Sequence, residues 1–322
     1  MRIALAGVGH WHAAMHFDAA RAAGAEISGI WDESPLVAAR FSAEVGGVVA
    51  SSWPALLTAR PDLLVLMGRA DRLSPLVLEV LGAGIPLVLE KPAAVSAEAL
   101  CPLMHAAAGR FVAVPLPNRL SPIWSEVRRL QGAERLGSIS HAQFRIVNGP
   151  PSRYRVDGVD WVLDPGASGG GAMRNLGIHG FDAALMLAKG RELSIVSASV
   201  SQALYGEAVE EYSLVTLKAA DDMIVSVEAG YTYASMAPGG DFEWRVSARN
   251  AYLVDRGDTC HSTTLDDGDS REITPLPTDQ RYRAFMADTL KRPSRGQAPS
   301  IRIEDYWRAM QLIDRAYEKA RT

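Results

Sequence analysis

Along the first 118 residues, short apolar runs alternate with longer amphipathic ones. The run RIALAGVG is unbroken and of strand length, as a strand buried on both faces must be, and it ends in glycines. HWHAAMHFDAARAAG follows, rich in alanine and ending at Gly24, and predicts a helix with a glycine stop. AEISGIWD predicts a second strand, closed by Asp32. The alternation continues through LVAARFSAEVGG as helix, PDLLVLMG as strand, SPLVLEVLGAG as helix, IPLVLEKP as strand, SAEALCPLMHAAAG as helix and RFVAVPLPN as strand. Such alternation buries a parallel sheet between two helical layers, so residues 1–118 predict a doubly wound, Rossmann-type domain.

Beyond Asn118 the period changes. A helix (SPIWSEVRRLQGA) and a strand (ISHAQFRIVNG) lead into a loop rich in Pro, Gly, Arg and Asp, and then into a further helix beyond the glycine run SGGG. From about Ser194 to Pro277, polar and apolar residues interleave (SIVSASVSQAL, EEYSLVTLKA, MIVSVEAGYTY, FEWRVSARNAYLVD, REITPLP), which predicts an open, mainly antiparallel sheet. Ile303, Tyr306, Met310, Ile313 and Tyr317 recur at helical spacing and predict a closing helix over about 303–320. The class is therefore α/β: an N-terminal Rossmann domain (1–118) and a C-terminal α+β domain (119–322). The second would join copies of the chain into a homodimer or homotetramer, since one sheet face needs a cover.

Composition narrows the partners. A 322-residue chain with 48 % hydrophobic residues has material for two cores, and its formal net charge of −4 provides no field to draw it to phosphate backbones or anionic membranes. Nucleic acid and membrane are not expected partners. Cys101 and Cys260 are too few for a disulfide framework and lack the paired spacing of a zinc site, which fits a cytoplasmic setting. The apolar start breaks at once into HWHAAMH, too short and too polar for a secretory segment.

The chemistry begins at Gly7-Val8-Gly9-His10-Trp11-His12, between a predicted strand and a predicted helix. There the first glycine makes a tight turn, the second lets backbone approach a pyrophosphate, and the helix start offers N–H groups to the anion. His12 stands where a third glycine is usual. Asp32, at the end of the second strand, is placed to accept hydrogen bonds from ribose hydroxyls and to repel a 2′-phosphate, which favours NAD over NADP. His10, His12 and His16 do not converge as ligands in this reading, and no metal is expected. Glu90-Lys91-Pro92 closes another strand, where a parallel sheet presents its ligands.

The glycine loop, Asp32, AGIPLVLEKP, PNRLSP (117–122), WVLDPGASGGG (161–171) and GIHGFD (177–182) together resemble the Gfo/Idh/MocA oxidoreductases, named for glucose-fructose oxidoreductase and inositol dehydrogenase. The resemblance spans nearly the whole chain, in the family's order. It implies a nicotinamide cofactor, a second domain (119–322) that shapes the substrate pocket, and hydride transfer at a secondary alcohol or ketone of a sugar, polyol or cyclitol, with Lys91 and His179 in the active site. Removing hydride from a carbinol carbon leaves an incipient alkoxide, so a neutral His179 suits the proton acceptor and Lys91 the donor that stabilises the oxygen. The expected cofactor residues are Gly7, Gly9, His10, Trp11, His12, Asp32, Arg69, Glu90 and Lys91. Arg119, Tyr154, Trp161, Arg174 and Asn175 are the expected substrate contacts.

The chain departs from the family pattern at four places: Asn175 replaces an aspartate, Arg69 and Leu73 replace a proline and a histidine, and His12 replaces the third glycine. Asn175 reads either as a catalytic or substrate contact or as an N-cap for the helix of His179. The three glycines before it read as room for substrate or cofactor. Two other readings share this architecture: an NAD-dependent glycosidase that oxidises its sugar transiently, and a catalytically silent NAD-binding regulator.

Overall fold

The computed structural model describes residues 1–322 apart from 266, 267 and 269. The N-terminal sheet is built from β1 (Arg2–Ala6), β2 (Glu26–Trp31), β3 (Leu63–Leu66), β4 (Leu87–Leu89) and β5 (Val112–Ala113). Its strands run parallel in the order β2-β1-β3-β4-β5. Every residue of β3 and β4 is buried, which is why both are continuous apolar runs. The intervening helices are α1 (Ala13–Ala22), α2 (Pro35–Val45), α3 (Trp53–Thr58), α4 (Leu73–Gly82) and α5 (Ala97–Ala107). Ser34, Ser52 and Ser96 cap α2, α3 and α5, each side chain accepting the backbone N–H three residues on, from Val37, Ala55 and Ala99.

Two details differ from the sequence expectation. Val49 forms a lone parallel bridge with Ile30 on the outer side of β2, so the Rossmann order 3-2-1-4-5-6 is present with its third strand reduced to one bridge. Val48-Val49-Ala50 is too short a run to read as a strand, and Val48 and Val49 are exposed. RFVAVPLPN keeps only two residues in the sheet. Beyond them Val114 bonds to Ile301 O and Ala113 pairs antiparallel with Arg302. The compact unit that holds this sheet comprises Met1–Leu116 together with Tyr154–Gly169 and Tyr282–Trp307.

The second unit comprises Pro117–Arg153, Gly170–Arg281 and Arg308–Thr322. Along the chain follow α6 (Pro122–Gly132), β6 (Ile139–Asn148), and the short helices α7 (Ser152–Val156), α8 (Pro165–Ser168) and α9 (Ala172–Asn175), then α10 (Gly177–Ala188). The strands β7 (Leu193–Ser201), β8 (Tyr212–Ala219), β9 (Ile224–Gly230), β10 (Gly240–Ala248), β11 (Ala251–Asp255), β12 (Cys260–Thr264) and β13 (Ser270–Glu272) complete the second sheet. Its order is β13-β12-β11-β10-β6-β9-β8-β7, antiparallel except for the β6–β9 pair. The open, mainly antiparallel sheet is thus present. In β8, Val215, Leu217 and Ala219 are buried and Leu214 and Lys218 exposed, the alternation of a sheet covered on one face.

Helix α10 packs on β6 and β9, and Gly180 makes that contact close: a Cβ there would come within 2.7 Å of Val227 Cγ1 and 3.1 Å of the Phe144 Cβ. Several elements escaped the pattern reading: α3, the short helices α7, α8 and α9 within the expected loop, β12 and α11 (Thr278–Lys291). The α11 signal is present in Tyr282, Phe285, Met286 and Thr289, an i, i+3, i+4, i+7 stripe that is wholly buried. The closing helix α12 (Ile303–Ala320) lies where its stripe predicts. Among the described residues no helix is long and apolar enough to cross a membrane.

Candidate active site

In the first unit, the loop after β1 is shaped by its glycines. Gly7 has φ +74°, and a Cβ there would overlap the Met67 carbonyl, so no other residue fits. The Gly9 N–H donates to Asp32 Oδ2 at 2.9 Å, and the Ser34 N–H donates to Asp32 Oδ1 at 2.9 Å. Asp32 therefore ties the end of β2 both to the loop and to the start of α2. Gly7, Gly9, His10, Asp32 and Arg69 line one crevice, together with Trp31, Met67, Leu73 and, from later in the chain, Val159 and Trp161. Arg69 is held there by Asp71, with bonds of 3.0 and 2.9 Å.

His10 supplies a polar group to this crevice. Its Nδ1 accepts the His12 N–H at 3.1 Å, and burial, reinforced by the neighbouring His12, holds its pKa well below the ordinary value. The ring is neutral and its proton sits on Nε2. That buried nitrogen has no hydrogen-bond partner among the described residues. A glycine turn that only glycine fits, a carboxylate at the β2 end and an unpaired buried donor suit a dinucleotide.

Glu90 and Lys91 follow β4 and are 1 % and 2 % exposed. Burial pushes the Lys91 ammonium down, against the pull of the Glu90 carboxylate, to a pKa of about 8. Its Nζ lies 5.6 Å from the centre of the Trp11 ring. Trp11 in turn stacks on His10 at 3.8 Å and meets Tyr154 at 5.7 Å and Trp161 at 5.9 Å, so two expected substrate contacts share an aromatic cluster with the glycine loop. His12 is accommodated in place of the third glycine by turning its ring onto Glu90, with Nδ1 3.2 Å from Oε1. His16 Nε2 lies 2.6 Å from the other carboxylate oxygen. Both imidazoles thus meet a carboxylate, and among the described residues no cluster of three or more His, Cys, Asp or Glu could hold a metal ion.

In the second unit, His179 lies on the first turn of α10 and is 8 % exposed. Leu176, not Asn175, is the N-cap of α10. The Asn175 amide instead donates to Tyr231 Oη at 3.0 Å, which corrects the capping alternative. The glycine run also has a different reason from the expected one. A Cβ on Gly169 would overlap the Val95 carbonyl, one on Gly170 the Tyr317 hydroxyl, and one on Gly171 the Glu210 carbonyl. Each glycine admits the protein's own atoms.

Glu210, 6 % exposed, accepts the Gly171 and Met173 N–H groups at 2.9 Å each and the Tyr317 hydroxyl at 2.7 Å, and so fixes the start of α9. Arg174 is buried, bonds to Asp314 at 2.6 Å and lies 5.2 Å from the Tyr317 ring centre. Arg174 thereby ties α9 to the helix Ile303–Ala320. Arg119 grips Asp182 of α10, with Nε 2.7 Å from Oδ2. The sequence pattern assigns no role to Glu210 or Tyr231, which fall within predicted strands, or to Asp182, which closes the GIHGFD motif.

Comparison with known proteins decides the family. Residues 1–114 match the model described as "Oxidoreductase family, NAD-binding Rossmann fold", and residues 124–254 match the "GFO/IDH/MocA C-terminal domain". The chain belongs to the Gfo/Idh/MocA oxidoreductases. Members of this family bind NAD in the Rossmann domain. A search of curated protein sequences returns no match. Among solved structures, levoglucosan dehydrogenase in complex with NADH and levoglucosan superposes with a TM-score of 0.87 at 17 % identity, covering 100 % of this chain and 97 % of that one. UDP-N-acetylglucosamine 3-dehydrogenase from Acidithiobacillus ferrooxidans gives 0.79 at 18 % identity, with 98 % and 96 % covered. Aldose-aldose oxidoreductase from Caulobacter crescentus, complexed with glycerol, gives 0.80 at 17 % identity, with 100 % and 97 % covered. At such identities the likeness is one of fold.

Proposed function

We propose that this Gfo/Idh/MocA protein is an NAD-dependent dehydrogenase of a secondary alcohol on a sugar, polyol or cyclitol. The observation that carries the reading is the buried Lys91 ammonium set against Trp11, a residue of the glycine loop itself. A buried cation beside a nucleotide loop suits an oxygen that gains negative charge during reaction. The sugars handled by structurally similar proteins support the substrate class.

Gly7, Gly9, His10, Asp32 and Arg69 would hold the dinucleotide. Bound NAD supplies the hydride acceptor. His179 takes the carbinol proton on its imidazole, while Lys91 donates a hydrogen bond to the same oxygen and holds the developing charge. Trp11, Tyr154 and Trp161 provide ring faces against which the apolar face of a sugar packs. Asn175 orients the segment that carries His179. The second sheet's outer face joins copies into a homodimer or homotetramer. A panel of sugars and polyols, read by NADH absorbance, tests the reading: net NADH release supports it, whereas conversion with retained cofactor and no net NADH points to the glycosidase reaction, and binding without turnover to a regulator.

A further inference from the structure

Lys91 is one end of a buried ensemble whose other members have no part in that mechanism. Glu90 Oε2 accepts from His16 Nε2 at 2.6 Å. Its Oε1 accepts the backbone N–H of Lys91 at 3.0 Å and faces His12 Nδ1 at 3.2 Å. The Tyr282 hydroxyl lies 2.9 Å from the same His12 nitrogen. His16, Glu90, Lys91 and Tyr282 are each no more than 2 % exposed.

A carboxylate this deeply buried would ordinarily give up its charge. Burial does oppose ionisation of Glu90, but the His12 and His16 imidazoles overcome it and hold its pKa well below the usual range. A purely structural element has little use for this, since a buried ion pair is commonly replaced by apolar residues at no loss of stability. The charge has a use at Lys91. One oxygen of Glu90 fixes the backbone from which the Lys91 side chain departs, and the same carboxylate opposes the burial that strips the ammonium of its proton.

The other groups that face the pair come from the glycine loop (His10 and His12), from α1 (His16) and from α11 (Tyr282). Burial keeps His10 and His12 below the ordinary imidazole value and pushes the Tyr282 phenol well above its own. Glu90 is therefore the anion that Lys91 meets.

We propose that Glu90, clamped between His12 and His16, is a positioning residue that fixes both the aim and the charge of Lys91. The proposal rests on the role given to Lys91 above, and its test separates the two. Lysine labelled with 13C and 15N is incorporated into the full chain and each ammonium is titrated by NMR. The other lysines (Lys189, Lys218, Lys291 and Lys319) are all exposed, and a Lys91→Met sample assigns the remaining signal.

Glu90→Gln, which keeps the shape and removes the charge, is expected to lower the Lys91 midpoint by about one pH unit or more. Glu90→Asp keeps the charge but shortens the reach to His16. It is expected to leave the midpoint within about half a unit while lowering kcat about tenfold at unchanged KM. An unmoved midpoint in a folded Glu90→Gln protein overturns the proposal, as does full kcat in Glu90→Asp if the first variant does not fold. A shifted midpoint in a chain that oxidises no alcohol would leave the coupling standing and remove the dehydrogenase reading; turnover with an unmoved midpoint would do the reverse.

Discussion

Asp32 Oδ2 accepts the Gly9 N–H at 2.9 Å, so the acid that follows β2 and the second glycine of the loop form a single device. Asp32 holds the loop, and under the proposed function it also faces the ribose. Asp32→Ser is expected to weaken NAD binding about tenfold, equal to about 1.4 kcal/mol, and to narrow the preference over NADP by removing the repelling charge. Calorimetric dissociation constants for both dinucleotides check this; equal constants in the unaltered protein would count against the assigned role.

The crevice around Gly9 has little space. A Cβ at that position already comes to 3.3 Å from Val37 Cγ1 and 3.4 Å from Asp32 Oδ2. Gly9→Val is expected to abolish NAD binding in a protein that remains folded, as read by circular dichroism and calorimetry. His10→Phe, which keeps the ring and removes the buried Nε2 donor, is expected to weaken binding several-fold.

Much of this site is legible in the sequence because its parts are local. Gly7, Gly9 and Asp32 belong to one βαβ unit, and Lys91 ends a strand whose apolar run is unmistakable. The Glu90 cluster is not legible in the same way. Its partners lie 74, 78 and, for the Tyr282 contact with His12, 270 residues apart. Tyr282 sits on α11, whose polar residues hide a buried stripe. The glycine run misled for a related reason: its sequence announces close approach, but only the packing of Val95, Tyr317 and Glu210 says what approaches.

Asn175 tests the architecture around His179. The amide bond to Tyr231 is buried, and Asn175→Ala is expected to cost about 1–2 kcal/mol. This corresponds to a fall in Tm of a few degrees, measured by calorimetry. Asn175→Asp is expected to keep the fold, with the Tyr231 hydroxyl turning to donate. It should also move the acid limb of the turnover profile upward, since imidazolium gains a negative neighbour.

The basic limb of the turnover profile tests Lys91. Its ammonium is the charged donor below a pKa of about 8 and loses its proton above it. If Lys91 stabilises the developing alkoxide, alcohol oxidation at saturating substrate is expected to fall as pH rises through that value. Turnover that instead rises through the same range would make Lys91 the proton acceptor.

The outer face of the second sheet carries exposed Leu214 and Ile224 beside Lys218, as a face covered by another copy would. Light scattering at micromolar concentration is expected to give a dimer or tetramer mass. Leu214→Lys is expected to shift that mass toward the monomer.

The most direct test of the central claim is the rate of NADH formation by His179→Ala on the best alcohol in the panel, with NAD affinity and Tm measured on the same sample. A proton acceptor predicts turnover lowered about a hundredfold or more, with affinity and Tm little changed. Full turnover in the folded variant would contradict the dehydrogenase mechanism.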